Sequence, residues 1–156
     1  MAGKLIIICG LPGSGKSTHA IEYEVNLKAV RFCPDEWMGS LGFALWDTAA
    51  RDKVERLQWE FAKQLLEIGQ TVIIEWGTWG RDERDALRID ARALGSTVEL
   101  HYLDASLDVL ERRIKERDAE DPPITRKMLD EWAEVFQRPS DQEGALYDTF
   151  LTIDGG

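Results

Sequence analysis

At 156 residues, 44% of them apolar and 31% charged, the chain has the composition of one soluble domain large enough to bury a real core. Its net charge of −10 repels polyanions at long range, which disfavours nucleic acid unless a local basic patch overrides it. No apolar run approaches a membrane span, the run at 5–9 is too short for a signal-peptide core, and two cysteines without a CxxC spacing build no disulfide framework, so the expectation is a cytoplasmic protein with no membrane partner.

Residues 4–9 (KLIIIC) read as the first strand, and helix-type spacing follows a glycine-rich turn to about Lys28. Residues 29–33 (AVRFC) read as a short second strand. Ala50, Val54, Leu57, Phe61, Leu65 and Ile68 recur at steps of three and four, predicting a long amphipathic helix with those side chains on its core face, ended by Gly69. Residues 71–75 (TVIIE) form a third strand, and Leu87, Ala91 and Leu94 line the next helix, closed by Gly95. Residues 97–103 form a fourth strand. Its alternation, Val98-Glu99-Leu100-His101-Tyr102, predicts one partly covered face, with His101 structural or at the surface rather than a ligand. Ser106 caps a helix that turns Leu107, Leu110 and Ile114 inward. Pro122-Pro123 then breaks the chain, a helix spans about 125–136, and residues 150–153 (FLTI) close the series as a fifth strand. Cys9 and Cys33, at the ends of apolar runs, are expected as buried thiols, and Trp59 and Trp132, at helical spacing, as core. Strand–helix alternation with short connections predicts an α/β fold with a parallel sheet covered on both faces.

One stretch carries specific chemistry. Gly10-Leu11-Pro12-Gly13-Ser14-Gly15-Lys16-Ser17 fits G-x-x-x-x-G-K-[ST], the P-loop pattern, and lies between a strand and a helix as that pattern requires. Glycines permit positive φ, so successive N–H groups can point at phosphate oxygens, and the helix adds its N-terminal amides and dipole. Lys16 supplies a mobile charge for the β/γ-phosphates, and the Ser17 hydroxyl suits Mg²⁺. Gly10, Pro12, Gly13, Ser14, Gly15, Lys16, Ser17 and Thr18 are therefore the expected nucleotide-binding residues. His19 rides the first turns of the following helix, near the nucleotide but outside the chemistry.

Two acids follow at strand ends, where parallel strands face the ligand crevice. Asp35, just beyond the second strand, is placed to orient an attacking oxygen and take its proton, or to cap a helix starting at Glu36. Glu75, ending the third strand, has a metal-side or a substrate-contacting role open to it. Arg113 and Arg117 sit one turn apart, opposite the core residue Ile114, and Arg126 follows the proline break. Their guanidinium forks suit phosphate oxygens, although a solvated face of Glu–Arg pairs would use the same residues.

The short chain, the GLPGSGKST form of the loop and Asp35 after the second strand together resemble the small P-loop kinases. The likeness is to the chloramphenicol phosphotransferase, zeta-toxin and polynucleotide 5′-hydroxyl kinase type, with gluconate and shikimate kinases further off. It implies a single kinase-like domain over 1–156, a three-layer sandwich around a five-stranded parallel sheet in the order 2-3-1-4-5, and a short arginine-bearing lid over about 112–127. It implies ATP and Mg²⁺ as cofactors, Asp35 as acceptor of the substrate hydroxyl's proton, and arginines among Arg113, Arg117 and Arg126 closing on the ATP phosphates. Glu75 departs from the aspartate more usual at that strand end.

The acceptor is the less legible half. Trp37, Met38, Phe43 and Trp46 follow Asp35, and Trp76 and Trp79 follow Glu75, so both segments should emerge at one crevice. Substrate wall and helix-to-sheet packing are both open to these tryptophans. With Asp35, Glu36, Asp47 and Glu75 nearby, such a wall suits a sugar-like or antibiotic-like hydroxyl compound, a cation among them. The expected function is therefore ATP-dependent phosphorylation of a small-molecule hydroxyl, with Glu36, Trp37, Trp46, Glu75, Trp76 and Trp79 as acceptor residues. A polynucleotide 5′-hydroxyl or nucleoside kinase is the alternative. No lysine or arginine lies between Phe32 and Trp46, which disfavours the polynucleotide form. A non-transferring nucleotide switch or ATPase is a third class. The chain has no N-K-x-D motif for reading guanine, which leaves adenine as the default.

Overall fold

The structure, a computed structural model, describes residues 2–155. Five strands, β1 (Lys4–Cys9), β2 (Val30–Phe32), β3 (Thr71–Gly77), β4 (Thr97–Asp104) and β5 (Thr149–Asp154), form one sheet in the order β2-β3-β1-β4-β5, with every neighbouring pair parallel. Helices connect them: α1 (Lys16–Leu27), α2 (Pro34–Leu41), α3 (Thr48–Glu67), α4 (Arg81–Ala93), α5 (Leu107–Arg117), α6 (Arg126–Val135) and the single turn α7 (Asp141–Gly144). This is the predicted order and class. The strands end within one or two residues of their expected limits; α2 begins two residues before the helix offered as an alternative at Glu36, and α7 has no expected counterpart.

β1 is central because it is apolar on both faces: Leu5 to Cys9 are all fully buried. Leu5, Ile7 and Cys9 pack toward Ala62 and Leu66 of α3 and Leu87 and Ala91 of α4, whereas Ile6 and Ile8 pack toward Ala20 of α1. Strand alternation thus sorts the helices into two layers. The face of β4 bearing Glu99 and His101 is better covered than its alternation suggests. His101 is fully buried, its Nδ1 2.9 Å from His19 Nε2 and its Nε2 3.0 Å from Glu99 Oε1, with Tyr23 edge-on at 5.0 Å. The Glu99 carboxylate, itself paired with Lys4 at 2.9 Å, accepts the Nε2 proton, which leaves Nδ1 to accept from His19. Two polar side chains are hidden under α1 because each satisfies the next.

α3 corrects a second expectation. Its buried face is Ala50, Val54, Gln58, Ala62 and Leu66, while Leu57, Phe61 and Ile68 are more than half exposed. The sheet selects small Ala62 for close approach, and Gln58 because its Oε1 accepts from Trp76 Nε1 at 2.9 Å. Asp47 caps this helix through the Ala50 N–H at 3.0 Å, while Ser106 and Thr125 cap α5 and α6 in the same way.

Two irregularities aim residues at the carboxyl end of the sheet. Ile7 pairs with Ile74 but Cys9 pairs with Gly77, so β3 carries one extra residue there. Such a bulge turns the strand end and re-aims Glu75 and Trp76. Gly13, at φ 82°, lets α5 close onto the glycine-rich loop: a Cβ there would lie 2.9 Å from the Leu110 carbonyl oxygen. That contact brings the arginines of α5 to the loop.

Candidate functional site

Residues 10–15 leave β1 as a loop whose last residue, Gly15, sits at φ 97° and serves as the N-cap of α1 without any side-chain bond, so the first amides of α1 stay available. Lys16 is half-buried and donates to the carbonyls of Gly10 (3.0 Å) and Leu11 (3.1 Å). Burial in the loop lowers its ammonium to about 8, against the opposing pull of Glu75 and Asp35. Ser17 Oγ donates to Glu75 Oε2 at 2.5 Å, and the other oxygen of Glu75 accepts from Arg31 at 2.9 Å. Glu75 is buried but not unpaired: the Ser17 hydroxyl of α1 and the Arg31 guanidinium of the neighbouring strand β2 satisfy it. Arg31 also holds Glu36 at 2.6 Å.

Ser17 Oγ and the Glu75 carboxylate are hard oxygen donors side by side, which fits Mg²⁺, an ion bound through one or two protein oxygens plus phosphates and water. Among the described residues no group of three or more His, Cys, Asp or Glu converges as a transition-metal site would require.

A cavity of about 980 Å³ runs from the loop into the space between α2, α3, β3 and the α5–α6 connection. Pro12 to Thr18 line one end, with Arg113 and Arg117 opposite them. Arg113 donates to the Gly13 carbonyl at 3.3 Å, and Arg117 pairs with Glu120. Asp35, Thr48, Arg51, Glu83, Trp46, Trp76, Trp79 and Trp132 line the other. Asp35 is in the first turn of α2, whose N-cap is Cys33, so it does not cap. Its carboxylate accepts from Arg51 at 2.5 Å, and Arg51 also bonds Glu55 at 3.2 Å.

Helix geometry separates the expected acceptor residues. Successive residues of α2 point about 100° apart: Asp35 reaches the cavity, Glu36 goes to Arg31, Trp37 packs on Phe32 at 5.9 Å, and Met38 is fully buried beside Ala50 and Val54. Glu36 and Trp37 are thus not on the cavity wall, and Phe43 is exposed outside it. Arg126 is also elsewhere, bonded to Asp108 and Asp130 on the outer side of α5 and α6. Trp132, expected in the core, instead joins the wall, with ring centroids 5.5 Å from Trp79 and 6.2 Å from Trp46. Arg31, Arg51, Glu83, Glu120 and Trp132 escaped sequence reading. Trp132 alone left a signal, being the aromatic on the helix that follows the arginine-rich segment.

A buried clamp fixes the segment after β3. Arg84, fully buried, pairs twice with Glu143 of α7 (2.7 and 2.9 Å) and donates to the carbonyls of Thr78, Trp79 and Gln137. Thr78 is held there at φ 41°, and Trp79 is presented to the cavity.

A P-loop opening a helix at the centre of a 2-3-1-4-5 parallel sheet defines a P-loop protein of the nucleotide-binding kinase fold. Comparison by family narrows this: the chain belongs to the P-loop family described as an AAA domain (AAA_33), whose model matches residues 5–139. Among solved structures it is similar to a Chloroflexus aurantiacus protein whose kinase designation is provisional, at 24% identity and a TM-score of 0.72, covering 99% of this chain and 89% of that one. It is also similar to the Mycobacterium tuberculosis APS kinase, solved with AMPPNP and APS (24% identity, TM-score 0.65, covering 97% and 88%). A gluconokinase from Sinorhizobium meliloti matches at 18% identity and a TM-score of 0.64, covering 99% and 83%. At these identities the likeness is one of fold.

Proposed function

We propose that the protein transfers the γ-phosphoryl group of ATP to a hydroxyl of a small molecule, sugar-like or antibiotic-like, with Asp35 as general base. The observation that carries this reading is that Asp35 and the P-loop line one continuous cavity with room for a nucleotide and an acceptor. Kinases acting on small molecules among the similar folds are consistent with it.

In this reading the loop amides and Lys16 hold the phosphates, with Lys16 exchanging its two carbonyl partners for phosphate oxygens. Ser17 and Glu75 hold Mg²⁺, which when bound neutralises charge on the β- and γ-phosphate oxygens. The residues over about 112–127 act as a lid, and Arg113 and Arg117 contribute the charge that stabilises the transferring group. Asp35, oriented by Arg51, accepts the hydroxyl proton as the acceptor oxygen bonds to phosphorus and the bond to the β–γ bridging oxygen breaks. The products are ADP and a phosphate monoester. Trp46, Trp76, Trp79 and Trp132 enclose the acceptor and exclude water.

The test is ADP formation from ATP and Mg²⁺ alone, then with pooled hydroxylated small molecules, then with 5′-hydroxyl oligonucleotides. Stimulation by the small-molecule pool is expected. Stimulation by oligonucleotides only, or equal turnover without acceptor, would overturn the reading.

A further inference from the structure

The charges of the cavity are divided between its ends. Lys16, Arg113 and Arg117 stand at the phosphate loop, and at the far end the one lining cation among the described residues is Arg51. Its guanidinium is already committed to Asp35 at 2.5 Å and Glu55 at 3.2 Å. An anionic acceptor would therefore meet no free cation there. Glu83, on the same wall, makes no ion pair among the described residues, and the charges of Arg84 and Arg51 act on it only at longer range. Two carboxylates, Asp35 and Glu83, thus line that end beside a guanidinium already divided between Asp35 and Glu55, with the indoles of Trp79, Trp132 and Trp46 on the same cavity.

We propose that the acceptor is a hydroxylated compound bearing a protonated amine, and that Glu83 and the Trp46–Trp132–Trp79 wall select it by that charge. The inference rests on the phosphoryl-transfer reading and names its substrate class. A cation between the indole faces and Glu83 gains from both: cation–π attraction from the rings, and an ion pair with the carboxylate in a desolvated site. The protein otherwise holds a carboxylate there with no ion-pair partner of its own among the described residues. Burial raises Glu83, and burial raises Glu55 to about 7 against the pull of Arg51, with Glu83 adding to the rise; an ammonium group beside Glu83 would favour its charged form. Glu36 and Glu75 serve less well, since both are held by Arg31 and Glu36 lies off the cavity wall.

The test uses the whole protein with AMPPNP and Mg²⁺ at fixed ionic strength. Tryptophan fluorescence is titrated with ring alcohols in matched amine, neutral and carboxylate forms, on one sugar scaffold and one aromatic scaffold. On whichever scaffold binds, the amine should bind at least tenfold tighter than the neutral form, with the carboxylate weakest. Glu83→Gln keeps the size and shape of the side chain and should cut the amine-to-neutral ratio about tenfold; Glu55→Gln gives a second reading of the same effect. Neutral or carboxylate forms binding as tightly as the amine, an unchanged ratio in both variants, or no member binding at millimolar concentration would overturn the proposal. Phosphorylation of the same compounds by ATP is scored separately. Amine preference without transfer upholds the charge selection and counts against the kinase reading, and transfer without amine preference does the reverse.

Discussion

The base role proposed for Asp35 depends on a neighbour. Its carboxylate is exposed on one side and fixed on the other by Arg51, so in that reading direction, rather than burial, would ready it for a hydroxyl proton. Asp35→Asn preserves shape and should lower kcat by at least about a hundredfold, with the ATP Kd within about threefold; a kinetic and calorimetric pair of measurements checks both halves. Lys16 offers a test by pH. Its proton leaves near pH 8 in the free protein and at 10.5 in an ordinary lysine, so the unfolded chain binds more protons between those values. Stability therefore rises with pH across that window, and the desolvation cost stands in full below pH 8. Nucleotide phosphates favour the charged form, so ATP binding takes up a proton above pH 8 and should weaken by up to about tenfold per pH unit there. Calorimetry between pH 7.5 and 9.5 should show that slope, and Lys16→Arg, charged throughout, should flatten it.

Among the elements, the connection from β3 to α4 is the one most dependent on a single side chain. Arg84 uses its guanidinium on two carboxylate oxygens and three carbonyls, all in a dry interior. Arg84→Met leaves Glu143 charged and 1% exposed with those carbonyls unbonded. Breaking a buried pair in this way costs about 3–5 kcal/mol, so thermal denaturation should show Tm lower by about 10 °C. Arg84→Met with Glu143→Leu should recover part of that loss, because the stranded charge is gone but the carbonyls remain. None of this shows in RDERDALRIDARA, where Arg84 looks like any arginine of a solvated helix. The loop from Gly10 to Ser17 is legible because its chemistry is local: backbone conformation and two side chains suffice. Asp35 is legible because parallel topology places strand ends at the crevice. Arg31, Arg51 and Glu83 are not, because their roles depend on partners 16 to 44 residues away or across a cavity. The α3 face was misread for a related reason. Two stripes shared Ala50 and Val54, and hydrophobicity alone favours Leu57 and Phe61 over Gln58 and Ala62, whose fitness appears only against Trp76 and β1.

At the scale of the molecule, the two ends of the cavity belong to different parts of the chain, and one bond joins them over its mouth. Trp46, from the segment between α2 and α3, donates from Nε1 to the Pro122 carbonyl at 2.9 Å, in the connection between α5 and α6. In the proposed reading this bond couples the acceptor wall to the lid. A bond of this kind contributes about 0.5–1.5 kcal/mol, equivalent to roughly 2- to 12-fold in an equilibrium constant. Trp46→Phe keeps an aromatic face and removes the donor. The acceptor KM should rise about 3- to 10-fold with the ATP Kd within about twofold, since the nucleotide end lies outside the lost contact. Amide exchange should quicken across residues 118–125 in the variant, which a wall residue acting by packing alone would leave unchanged. If KM rises and exchange does not, Trp46 serves the acceptor only as a surface. If both respond, occupancy of the acceptor end and closure over the phosphates are linked through this bond, and by reciprocity a bound nucleotide should tighten the acceptor by the same factor.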